Sequence, residues 1–128
     1  MPISTIGTNS LSATAQIGSL TTASGSAPSY SARAWVNFNG TGTVAIRASG
    51  NVTSITDNGT GDYTVNITTA LTDVNYAVTG ETGGTASVAS LGLADQITAR
   101  TTTAFRVYVF TTTGGLIDAA QVNIAVFR

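Results

Sequence analysis

From residue 32 onward the chain alternates apolar and polar residues with a period of two, and this pattern most constrains its fold. Ala34, Val36 and Phe38 alternate with Arg33, Trp35 and Asn37. Tyr63, Val65 and Ile67 alternate with Thr64 and Asn66, and the pattern returns at Phe105, Val107 and Val109 and at Val122, Ile124 and Val126. Successive strand side chains point to opposite faces, so such runs read as half-buried strands. Turn signals separate them every 8 to 12 residues: Asn39-Gly40-Thr41-Gly42, Ser49-Gly50, Asp57-Asn58-Gly59-Thr60-Gly61, Gly80 to Gly84 and Thr111 to Gly115. Short strands at this spacing predict an all-β, antiparallel β-sandwich, jelly-roll-like, of about eight strands. The weaker segments are a fifth strand around Val74, Tyr76 and Val78, a sixth over 85–90, one helical turn over 91–96 and a marginal strand over 97–101.

Residues 1–31 are different. They are rich in Ser, Thr, Ala and Gly, with sparse apolar residues at Ile3, Ile6, Leu11, Ile17 and Leu20. This composition predicts an extended N-terminal arm before a sandwich domain over 32–128. Such an arm takes a fixed course only where something holds it, either a neighbouring subunit or an edge of its own domain. No Lys guards the strand edges, so the arm or another chain must shield them.

Composition excludes several functions. The chain lacks Lys, His and Cys altogether. It therefore has no Cys/His metal site, no Ser-His-Asp or Cys-His nucleophile, and no P-loop. Its five Arg are scattered and the net charge is −1, whereas nucleic acid demands a basic stripe. Charged residues amount to 9%, so copies repel one another weakly and self-association is easy. No apolar run is long enough to span a membrane, and the N-terminus has no basic-then-apolar leader. The expectation is no membrane, no nucleic acid and no cofactor.

The remaining motifs have ordinary readings. Asp57 to Asp62 surrounds a glycine turn with two carboxylates, which suits either Ca²⁺ or a hairpin whose Asp and Asn cap their own backbone. It follows no known calcium-loop pattern. Asp73 with Glu81 is the other carboxylate pair set against the two-carboxyl requirement of glycoside hydrolysis. Gly40 to Ala45 fits GxGxxA but lies between strands, so it reads as a turn. Four Asn-x-Thr sequons, at Asn39, Asn51, Asn58 and Asn66, follow from the abundance of Thr and Asn.

If the strand cores point inward, Arg33, Trp35, Arg106, Tyr108, Phe110 and Phe127 point outward, and that set has the composition of a subunit interface. These strands are otherwise central and buried on both faces, but a two-layer sandwich leaves one face of each sheet to solvent. Trp35, Tyr30 and Tyr108 also suit stacking against sugar rings.

The segment RAWVNFNGTGTVAIRASGNVTSITDNGTGDYTVNITTALTDVNYAVTG, Arg33 to Gly80, resembles a domain of bacteriophage virion proteins, familiar at the C-terminal ends of tail fibres, cyanophage fibres among them. FRVYVFTTTGGLIDAAQVNIAVFR, Phe105 to Arg128, resembles the closing strands of the same domain. The resemblance implies a small, often trimeric β-sandwich on the outside of a virion, made in the host bacterial cytoplasm, with no catalytic residues to carry over. In fibres the domain ends a longer chain with a shaft. A chain starting at Met1 with no room for a shaft would attach to major capsid or tail proteins directly, through its arm. The expectation is a non-enzymatic capsid decoration (cement) protein or a small tail or head-fibre component, forming a homo-oligomer. The alternative is a fibre tip that attaches to host surface glycan.

Overall fold

The computed structural model describes residues 31–83, 89–93 and 99–128. They form eight strands: β1 (Ala32–Asn39), β2 (Ala45–Gly50), β3 (Val52–Gly59), β4 (Asp62–Ile67), β5 (Ala77–Gly83), β6 (Ala89–Leu93), β7 (Ala104–Thr111) and β8 (Gln121–Phe127). The strands make two four-stranded antiparallel sheets, in the orders β2-β1-β8-β5 and β3-β4-β7-β6. The all-β sandwich expected from the alternation is the observed architecture. In the first sheet, the first and last strands lie side by side at the centre. The expected N-terminal arm, and Tyr30 with it, lies outside the described residues.

The core follows the alternation. The four central strands each contribute three inward side chains: Ala34, Val36 and Phe38; Tyr63, Val65 and Ile67; Phe105, Val107 and Val109; Val122, Ile124 and Val126. Burying each large side chain contributes about 1.5–3 kcal/mol. Phe38 of the first sheet meets Tyr63 of the second edge-to-face at 5.2 Å, which locks the layers together. The edge strands add less, with Ile46, Ile55 and Val78 only partly buried against this cluster.

The chain crosses between sheets at Asn51, the one described non-glycine residue with a positive φ, at 58°. Asn tolerates this conformation best among residues with a Cβ. Its amide donates to the Arg33 and Thr69 carbonyls at 3.0 and 3.1 Å, and its Oδ1 accepts from the Thr69 amide at 2.7 Å. One side chain thus satisfies the corner.

Several local expectations are corrected: β5 runs on through Gly83 where a loop from Gly80 to Gly84 was expected, and β2 runs through Gly50 where Ser49-Gly50 was expected to turn. The loop expected over 57–61 is shorter: β3 runs to Gly59 and only Thr60-Gly61 turns the chain, across a bulge at 57–59. Gly61 has φ 64°, and a Cβ there would lie 2.5 Å from the Val109 carbonyl. β5 begins at Ala77 rather than near Val74, because Asp73 caps the Asn75 amide at 2.7 Å and bends the chain, leaving Val74 exposed. The turn expected to be helical over 91–96 is strand through Leu93, since Leu91 and Leu93 pair with Val109 and Val107 on the open edge of β7. Residues 94–96 lie outside the described residues. The marginal strand over 97–101 is not strand in its described part, 99–101. There Thr101 Oγ1 accepts from the Thr103 and Ala104 amides at 3.2 and 2.9 Å and turns the chain.

Candidate functional site

The six outward candidates do not share a face. Arg33 and Trp35 on β1 and Phe127 on β8 belong to the first sheet, whereas Arg106, Tyr108 and Phe110 on β7 belong to the second. The single aromatic surface expected from the sequence is therefore two surfaces, because β7 pairs with β4 and β6 and not with β1 or β8.

On the second sheet's outer face the polar side chains of β3, β4 and β7 bond to one another, beside Tyr108 and Phe110 of β7. Arg106 Nε donates to Asp62 Oδ1 at 2.7 Å, and its Nη2 donates to the other carboxylate oxygen. The guanidinium also lies 5.4 Å from the centre of the Tyr108 ring. Asn58 donates to Asp62 at 3.3 Å and to Thr64 at 2.9 Å, and Asn66 bridges Ser54 and Thr56 at 3.1 and 3.0 Å. The Arg106 hydrogen bond holds the Asp62 carboxyl below its ordinary range, while burial opposes it and Asn58 adds to it. Asp57 accepts from the Gly59 amide at 3.0 Å. Asp57 caps its own hairpin backbone as the turn reading expects, whereas Asp62 and Asn58 bond to side chains instead. The other proposed carboxylate pair is also divided. Asp73 pairs with Arg128, with Nε 3.0 Å from Oδ1, whereas Glu81 bonds to Asn123.

At one end of the sandwich, Tyr63 and Asp118 join three loops. The Tyr63 hydroxyl lies 2.8 Å from Asp118 Oδ1 and 2.9 Å from the Gly40 carbonyl, with its proton shared between two acceptors. The same Asp118 oxygen accepts from the Gly61 amide at 2.7 Å. Burial pushes the Tyr63 hydroxyl far above the ordinary tyrosine range, and the Asp118 carboxylate pushes the same way. This junction holds the GxGxxA segment as a hairpin loop: a Cβ at Gly40 would come within 2.6 Å of the Tyr63 hydroxyl.

The first sheet's outer face is open. Strand register sets two rows across it. One runs Gly50, Trp35, Ala125, Thr79, and the next Ala48, Asn37, Asn123, Glu81. Trp35 is 44% exposed and Phe127, one diagonal step away, 39%. The pyrrole side of the indole covers Gly50, where a Cβ would lie 2.9 Å from Cδ1 and nearer still to Nε1. Only glycine leaves room for the ring there. In the second row, Asn37 donates to Asn123 Oδ1, and Asn123 donates to Glu81 Oε1 at 3.3 Å. Between the rows lies an open groove of about 380 Å³, lined by Trp35, Asn37, Thr79, Glu81, Asn123 and Ala125 among others.

This arrangement offers an aromatic face, a small-residue floor and a line of hydrogen-bonding groups. Of its residues, sequence reasoning singled out Trp35, considered Glu81 only as a carboxylate partner of Asp73, and missed Asn37, Asn123 and Thr79 as site residues. The alternation does turn Asn37 outward with Trp35 and Asn123 outward with Ala125. What it lacks is the pairing of β8 between β1 and β5. Comparison with protein-family models, with curated proteins and with solved structures returned no match.

Proposed function

We propose that this chain is a non-enzymatic structural protein of a bacteriophage particle, displayed on its surface as a capsid decoration (cement) protein or a small tail or head-fibre component. The observation that carries the reading is the apolar area left outside a well-filled core. Trp35, Phe127, Leu116 and Val74 are all 39–47% exposed on a domain with few charges to keep copies apart. Burial of such anchors against other subunits is how a protein without chemistry does work. The resemblance of Arg33–Gly80 to fibre domains supplies the phage context, and the arm would supply a second attachment.

Quantitative mass spectrometry of purified virions tests this. The protein should co-purify with the particle, and light scattering should give an oligomer, with a trimer expected at about three times 12.9 kDa. A copy number near that of the major capsid protein supports decoration, and a few per cent of it supports a tail or fibre position. Absence from virions defeats the proposal.

A second reading, a fibre tip that attaches to host glycan, is favoured by one observation: the groove beside Trp35 with its amide row.

A further inference from the structure

We infer that the groove between Trp35 and the Asn37–Asn123–Glu81 row binds a neutral sugar, a terminal hexopyranose stacked on the indole with its hydroxyls bonded to the amides. This deepens the glycan reading and rests on it.

A pyranose has an apolar C–H face and a rim of hydroxyls that both donate and accept. The groove presents the matching halves. Trp35 and Asn37 both turn outward two residues apart on β1, a separation of about 7 Å along a strand. The indole offers a π-face, and the neighbouring Ala125 and Gly50 are too small to cover it. Register places Asn37, Asn123 and Glu81 in line, and their mutual bonds orient the amides in advance. Each side-chain amide can make four hydrogen bonds, so the row retains capacity for a ligand. Preorganised polar groups beside an apolar wall are the recurring form of small-ligand sites, and a volume of about 380 Å³ lies in their range.

Charge selects among sugars. Glu81 is the charged residue among the groove's described lining. Its carboxylate accepts hydroxyl protons and repels sialate, uronate or phosphate groups. Neutral hexoses and N-acetylhexosamines therefore fit, and anionic glycans do not.

The test applies the full-length protein to an array carrying neutral and anionic glycans. It also titrates the fluorescence of Trp35, the chain's single tryptophan, with methyl glucoside, methyl galactoside and N-acetylglucosamine. The expected result is retention on neutral glycans only and a saturable fluorescence change with at least one of the three sugars. Trp35→Ala and Asn123→Ala should each lower array retention by about tenfold or more. Gly50→Ala should do so with the tryptophan still present, because the new Cβ dislodges the indole. Thermal unfolding of each variant shows whether the fold is intact. Three results overturn the inference: no neutral glycan retained, retention indifferent to Trp35→Ala, or a smaller solution mass for Trp35→Ala, which makes this face a subunit contact. The virion measurement is separate, so loss of the sugar site leaves the particle assignment standing.

Discussion

The outer faces of the two sheets are built from the same kind of strand and do opposite things with their polar groups. On the second sheet, Asp62, Arg106, Asn58, Thr64, Asn66, Ser54 and Thr56 bond to one another across three strands. On the first, Asn37, Asn123 and Glu81 bond in one row, and beside it stand an exposed tryptophan, an exposed phenylalanine and alanines. A face that meets its own hydrogen-bonding needs contributes to stability. A face with an uncovered aromatic contributes little to stability and is available for contact. The described side chains of the two outer faces thus differ in how far their polar groups bond to one another and in how much aromatic surface stands exposed.

The largest expected effects check that the division is confined to the outer faces. Phe38→Ala in the first sheet and Phe105→Ala in the second should each cost about 3–5 kcal/mol in urea unfolding, since both fill the shared core. A clear inequality would mean that the core, too, is divided. Next, Asp62→Ala should cost about 2 kcal/mol. It removes an 8%-exposed carboxylate and leaves Arg106 and Asn58 without their acceptor, although the partly exposed Arg106 recovers some of the loss from water. Asn123→Ala on the opposite face should cost about 1 kcal/mol or less.

Acid should act through the second sheet. The folded Asp62 pKa is depressed below an unfolded value near 3.8, so its contribution is fully present above about pH 5. It is lost as pH falls through 3.8 toward the folded value. In Asp62→Asn the acid side of the stability-versus-pH curve should be flatter than in the parent. Tyr63 has the opposite sense at the other end of the scale. Its raised pKa keeps it neutral when folded, so stability falls as pH rises past 10, and Tyr63→Phe should make that fall shallower, with the buried Tyr76 contributing the rest. The smallest effect belongs to Trp35→Ala, which should shift stability by about 0.5 kcal/mol or less while changing association or sugar retention. A large stability loss there would erase the contrast between the faces.

How far the sequence could be read depended on the range of the interaction. All twelve core residues of the four central strands were visible in the alternation, because a strand's two faces are set by its own backbone. The turn at Gly61 was visible for the same local reason, whereas the corner at Asn51 was placed at Ser49-Gly50. The start of β5 was misread because Asp73 caps Asn75 and bends Val74 out of line, and β6 because an open strand edge outweighs the local pattern. The outward direction of Trp35 was legible. Asn37 shares its strand, but its companions Thr79, Glu81 and Asn123 were not legible as neighbours, since they lie on strands more than 40 residues away.

The sequence by itself determined that the chain is a β-sandwich whose central strands alternate buried and outward residues, and that it holds no Lys, His or Cys. Side-chain alternation and composition are properties of single segments, and they need no partner. Only the tertiary structure decided which strands became neighbours. By placing β8 between β1 and β5, and β7 between β4 and β6, it divided the outward residues between two faces, with Trp35 and Phe127 on one and Arg106, Tyr108 and Phe110 on the other. Pairing is a long-range choice, made by the packing of the whole core, and no single segment encodes it.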